Sequence, residues 1–446
     1  SISTTDTAVS FGDVALAAAT SVDSGNGATG TIALGAVTSG GSPLALDSGS
    51  AAGATIALGA MANLTGGLTI VDSGGAVTIG AAGSGGAGPI TVTQARAGVT
   101  FTGNLGATSL TLTDTTGTVS FADGQTVNLA SLVTAAQDYS VVVNSSSFAV
   151  TADTSFLNTG AVTLGNGAAD SISFAGGLDT TTGPATTSLA GILSTANANM
   201  DLGATTMSAN ATLRSGSGDI NVASITDGPG SFTLTLGSGT QGGNIAFAGA
   251  VAVASLGTFA SSYSIEFLGA STAVDAGHTF LNTAALVLGD GGDALSFPPG
   301  ISHTAGSTEL NGALSTTNAN VAFAALALSG DSSINTDTGA GNVQMASLGG
   351  AHDLLVSAGS GTVLVTGAVG DGSAANNLGS GTGPALDTTG TSGIVEFADS
   401  INANSGFTIP GPAVFRGDAN FGQVLAGDTG ITLSNVATLD GLAMTS

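Results

Sequence analysis

The chain has 446 residues, of which 42 % are apolar but only 4 % aromatic, with no Trp and no Cys; its 72 glycines are about twice the ordinary share. Arg96, Arg214 and Arg416 are its only strong bases against 29 Asp plus Glu, for a formal charge of −26. That balance argues against nucleic acid and anionic membranes as partners, both of which need clustered Lys and Arg, and the missing Cys excludes disulfides and thiolate metal sites. No apolar run reaches the ~18–20 residues of a transmembrane helix, so no membrane span is expected. The first ten residues lack the basic start and apolar stretch of a signal peptide, so export implies a removed signal or a segment of a longer chain.

Short triplets with apolar first and third residues begin at Val9-Ser10-Phe11 and recur throughout. Such period-two alternation predicts strands with one buried face, and the density of Gly and β-branched residues disfavours helix. Thr31-Ile32-Ala33-Leu34-Gly35-Ala36 returns 24 residues later from Thr55, and Asp-Ser-Gly recurs at Asp23, Asp47 and Asp72. Triplets starting at 68, 90 and 110 are spaced by 22 and 20 residues, as is a second set at 77, 99 and 119. Two strands per unit of about 20–24 residues is the rhythm of one β-solenoid turn.

A longer repeat overlies this one. Tyr139-Ser140-Val141 returns as Tyr263-Ser264-Ile265, and Phe156-Leu157-Asn158-Thr159 as Phe280-Leu281-Asn282-Thr283, both after 124 residues. LSTANANM at 193–200 returns as LSTTNANV at 314–321. These shifts predict duplicated blocks at approximately 139–262 and 263–369, a Gly-rich loop insertion at 370–393, and further coils at 394–446. The expected fold is therefore all-β, a single parallel β-helix over 1–446 of about 20 coils. The alternative is a row of β-sandwich domains of ~120 residues.

The runs Leu110-Thr111-Leu112 through Asp123, and Phe232-Thr233-Leu234 through Val251, make the chain resemble the β-strand-repeat regions of bacterial filamentous-haemagglutinin-like proteins and autotransporter passengers. The resemblance implies a right-handed parallel β-helix, export to the cell surface, and a role in adhesion or surface architecture.

Several residues are candidates for chemistry. Asp23, Asp47 and Asp72 would stack as a carboxylate ladder about 4.8 Å apart if the coils lie in register, with solvated side chains or a bound cation relieving the repulsion. Gly289-Asp290-Gly291-Gly292-Asp293 approaches the glycine–aspartate repeat that binds Ca²⁺, so Asp290 and Asp293 are metal candidates, weighed against an ordinary Asx turn. Calcium is the one cofactor candidate. Arg416-Gly417-Asp418 is a tripeptide read by some animal integrins, weighed against a turn in which Arg416 pairs with a nearby acid. His278 and His303 align with Thr154 and, approximately, Thr181 or Thr182, so they and His352 are expected as isolated surface histidines. Sequons at Asn63, Asn144 and Asn210 mark polar turns.

Three functions compete. The leading expectation is a non-enzymatic extracellular protein of a bacterial surface that forms or extends a filament, fibre or surface layer by self-association. The second is an adhesin binding surface glycans or host receptors; the third is a polysaccharide-active enzyme, disfavoured because the scattered His and the missing Lys and Trp leave no catalytic cluster. Triplets close to both termini, including Ile431-Thr432-Leu433 and Val436, add an expectation of uncapped coils that contact other copies.

Overall fold

The computed structural model describes residues 1–421 and, beyond them, the strands Thr432–Leu433, Ala437–Leu439 and Met444–Thr445. Ile431 and Val436 lie outside the described residues. The chain is an all-β solenoid of about 19 turns, without helix among the described residues and with parallel strands stacked about 22 residues apart. Antiparallel sandwiches are thereby overturned. Contacts divide the chain into two compact units, Ser1–Ile220 with Gly228–Gly230, and Asn221–Asp227 with Ser231–Ser446. The division falls inside the first duplicated block rather than at its edge.

In the first unit the sequence reading of two strands per turn is corrected to three. One column runs Val9–Phe11, Ile32–Leu34, Ile56–Leu58, Val77–Ile79, Val99–Phe101, Gly117–Phe121 and Tyr139–Val143. A second begins Val14–Leu16, Val37–Ser39, Met61–Ala62. The third begins Ile2–Ser3, Thr20–Asp23, Leu44–Gly49, Leu68–Ser73. The second column escaped notice because its triplets are weakly apolar: Ser39 takes an inward place in one of them and is buried.

Most triplets bury their first and third residues and turn the middle one outward, as in Ile56–Leu58 and Val395–Phe397, while in the first coil Phe11 is an exposed third residue. Since partners in the next coil are the same positions of the repeat, like stacks on like. Phe101 and Phe121 lie ring on ring at 4.9 Å, followed by Phe148, Phe174 and Phe156 in tilted or edge contacts. The second unit builds the same kind of stack from Phe247, Phe267, Phe280 and Phe297. Burying one such side chain stabilises the fold by about 1.5–3 kcal/mol, and no disulfide assists.

Corners need close backbone approach. Gly59 shows why: a Cβ there would sit 2.6 Å from the Gly35 carbonyl oxygen of the coil before it. One residue inside the acidic corner, Ser24, Ser48 and Ser73 are all buried; Ser24 donates to the Gly30 carbonyl and Ser48 to that of Ala54. The buried hydroxyls thereby find their own partners at corner carbonyls, that of Ala54 also accepting the Gly75 amide.

The stretch 370–393 is only partly an insertion. Leu386–Asp387 pairs with Leu354 and Leu355 on one side and Phe407 and Thr408 on the other, and Thr388 and Thr391 are buried. Within the stretch, Leu378 is buried too and bridges to Ala403. Gly and Thr serve coil corners as well as loops, which is why composition alone drew the insertion too long.

Candidate functional site

A row of charged residues lies in the first unit, along the edge of its third strand column. In Thr20–Asp23, Val22 points inward, so Asp23 points out. Asp23 stands in register with Asp47, and Asp47 with Asp72. The register that a carboxylate ladder requires is present, although a bulge shifts it beside Asp72. Asp23 and Asp47 each accept a hydrogen bond from the amide two residues on, Gly25 at 2.9 Å and Gly49 at 3.0 Å, closing Asx turns. Burial pushes the Asp47 carboxyl above its ordinary value; the Gly49 amide works against this, and repulsion from Asp23 and Asp72 adds to it.

The column continues beyond what sequence reasoning named. Arg96 donates from Nη2 to Asp72 Oδ2 at 3.3 Å and to Gln94 Oε1, while Gln94 Nε2 donates to Asp114 Oδ2 at 2.8 Å. Gln94 and Asp114 are register partners on adjacent coils. The signal that finds them is arithmetic: the 22- and 20-residue spacings of the neighbouring triplets, added to 72, give 94 and 114. Arg96 is thus the cation that relieves the top of the ladder. Among the described residues no three His, Asp or Glu converge in the manner of a metal site.

Asp293 and Asp290 are separated in role. Asp293 is buried, and its Oδ2 accepts from the backbone amides of Asp290 at 2.8 Å and Gly291 at 3.3 Å. Asp170 does the same for Asn166 and Gly167, both at 2.8 Å. The carboxylate closes its own turn, and Asp290 faces solvent.

Arg416-Gly417-Asp418 does not stand on a protruding tip. Arg416 Nε donates to Glu396 Oε1 at 2.7 Å, the Asp418 carbonyl accepts from the Ile401 amide, and a Cβ on Gly417 would lie 2.2 Å from the Asp399 carbonyl carbon. The tripeptide is seated on the coil beneath it, with Arg416 paired.

Two histidines correct the surface expectation. His303 is fully buried, with Nε2 at 2.9 Å from the Asn282 carbonyl and Nδ1 at 2.9 Å from Thr308 Oγ1. His278 is half-buried, 3.2 Å from Thr258 Oγ1, and lines a surface groove with Pro299, Asn318 and Asn320. Counted by strand register, Thr154 holds in the first copy the place of His278, and Thr180, rather than Thr181 or Thr182, the place of His303. Thr154 and Thr180 are both buried. His352 lies at the surface but is partly covered and stands 3.6 Å from Asp331 rather than alone.

The inserted segment is held by carboxylates. Asp353 accepts from Ser380 N and Oγ at 2.8 and 2.9 Å. Asp371 accepts from Asn376 Nδ2 and from Ser373 N and Oγ, and these bonds hold its carboxyl down at about 2.

The fold and these geometries define a parallel β-solenoid with an acidic edge. Comparison with family models, with curated proteins and with solved structures finds no match to this chain.

Proposed function

We propose that the chain is a non-enzymatic structural protein of a bacterial cell surface, exported and built to form or extend a filament, fibre or surface layer by contact with copies of itself. The observation that carries this reading is the in-register repetition of the outer surface. Along one column the outward residues are Ala33, Ala57, Thr78, Thr100, Ser120 and Val142, each beside its neighbour at the strand spacing. Small outward side chains make this face flat, and a flat parallel face lets a second copy approach closely. The ionisable groups support the same reading, since they are distributed along edges or fixed in turns, whereas a hydrolase or lyase needs them convergent.

A charge of −26 opposes lateral approach, so divalent cations or salt should favour assembly. Light scattering on the purified chain, with calcium, with chelator and at raised salt, tests this. Particle mass should grow with calcium or salt and return towards the single chain in chelator at low salt. A single chain under all conditions contradicts it.

The segment fixed by Asp353 and Asp371 supports adhesion as a second reading, because it displays an ordered loop on a rigid support. Saturable binding to glycan or host-cell surfaces, abolished by deleting 372–377 from a chain that still folds, would favour it.

A further inference from the structure

The duplicated block provides its own control. At two inward positions the first copy carries Thr154 and Thr180, and the second carries His278 and His303. The Asn282 carbonyl can only accept, so His303 holds its proton on Nε2 and offers Nδ1 as acceptor to the Thr308 hydroxyl. His278 meets the Thr258 hydroxyl at Nε2, and the Leu256 carbonyl accepts from its ring. Both rings therefore have partners while neutral. They stand edge-on to Phe280, with centroids 4.5 Å and 6.4 Å away, and Phe280 in turn packs on Phe267 and Phe297.

Among the described residues a second proton on either ring has no anion to meet. On the elements packed around the pair, Asp275, Asp290 and Glu309 are exposed, Asp293 is committed to the Asp290 and Gly291 amides, and the buried Tyr263 hydroxyl donates to the Leu236 carbonyl. An uncompensated charge in such a place is strongly unfavourable.

We propose that His278 and His303 form an acid-responsive switch: protonating the pair opens the coils that carry it, while the first copy, with Thr154 and Thr180 at the same places, stays closed. Burial holds both imidazoles below their ordinary value, His278 at about 4, against the opposing pull of the Leu256 and Asn282 carbonyls. The unfolded chain then binds more protons than the folded one below about pH 6.5, so stability falls as pH drops from there towards 4.

Hydrogen exchange on the full chain reads this out. Protection factors in His278–Thr279 and Ile301–Ser315 should fall by on the order of tenfold per pH unit below about pH 6, while those in Thr154–Ser155 and Leu178–Asp179 hold. The double variant His278→Thr with His303→Thr should keep the second copy protected at acid pH. Titration of the ring C2 protons in the unaltered chain gives a readout that needs no variant, with both midpoints expected below the ordinary imidazole value. Midpoints at or above that value, protection in the second copy that ignores pH, or an equal acid loss in the double variant would each overturn the proposal.

Discussion

The two copies of the duplicated block, compared position by position, separate what this solenoid fixes from what it leaves free. Several corner bonds recur in both copies. Tyr139 and Tyr263 are buried and accept at their hydroxyls from Ala135 N and Phe259 N at 3.1 and 3.0 Å. Asn158 and Asn282 donate to the carbonyls of those tyrosines at 3.0 and 3.2 Å. Asn197 and Asn318 both take positive φ, 61° and 52°, and both accept an amide from the next coil. The interior is exchanged instead: Val143 and Phe148 of the first copy become Phe267 and Thr272 of the second. One ring is lost at one inward place and gained at another. A corner must meet a particular backbone donor or acceptor, whereas the interior must only be filled at native density.

Core truncation sharpens that contrast most. Phe156→Ala and Phe280→Ala should each cost about 3–5 kcal/mol in urea denaturation, since each leaves a ring-sized cavity in a column. A loss under about 1 kcal/mol in either copy would show that its interior collapses around the gap and is not closely packed.

Next come the turn carboxylates. Replacing Asp170 or Asp293 by Ala strands two backbone amides, and a loss of about 1–3 kcal/mol is expected in both copies. Calcium titration of the Asp293→Ala variant adds a second reading. If its stability and that of the parent respond equally to calcium, Asp293 acts through its turn; a calcium-dependent gain confined to the parent would make the two copies differ in function at this corner.

The left-handed asparagines should respond more weakly. Asn197→Gly and Asn318→Gly remove the inter-coil acceptor but relax a strained backbone, so each should change stability by less than about 1 kcal/mol. Marked inequality between them, measured by thermal melts at one pH, would show that the two corners are not equivalent.

The smallest effect contrasts the first unit with the His pair of the second. Asp47 has its carboxyl raised in the fold, so the folded state binds the extra proton. Stability associated with it is present below the unfolded carboxyl value and is lost as pH rises through the folded one. Local protection around Leu44–Gly49 should therefore improve slightly on acidification, opposite in sign to the coils around His303. Asp47→Asn should abolish that trend; an unchanged trend would remove the ladder as its cause.

Much of the architecture was legible because stacking makes spacing into geometry. The distances from Leu68 to Ile90 to Leu110 are coil lengths, and these residues are direct register partners. The Asp23, Asp47 and Asp72 series was readable for the same reason. What stayed hidden lacked an apolar signature or a constant period. The column through Val37–Ser39 is weakly apolar, and Gln94 and Asp114 fall off a strict 24-residue count. His278 and His303 were misplaced because polar character was taken to mean the surface, although strand alternation from Ile301 puts His303 inward. The pairing of Arg416 with Glu396 spans 20 residues and becomes visible only once the coils are stacked.

Electron microscopy of the purified chain in calcium-containing buffer decides whether this solenoid serves as a self-associating structural element. Assemblies many chains in size are expected, with one repeating contact between copies and a spacing of about 4.8 Å between strands. Isolated single chains at every concentration, with and without calcium, would contradict it.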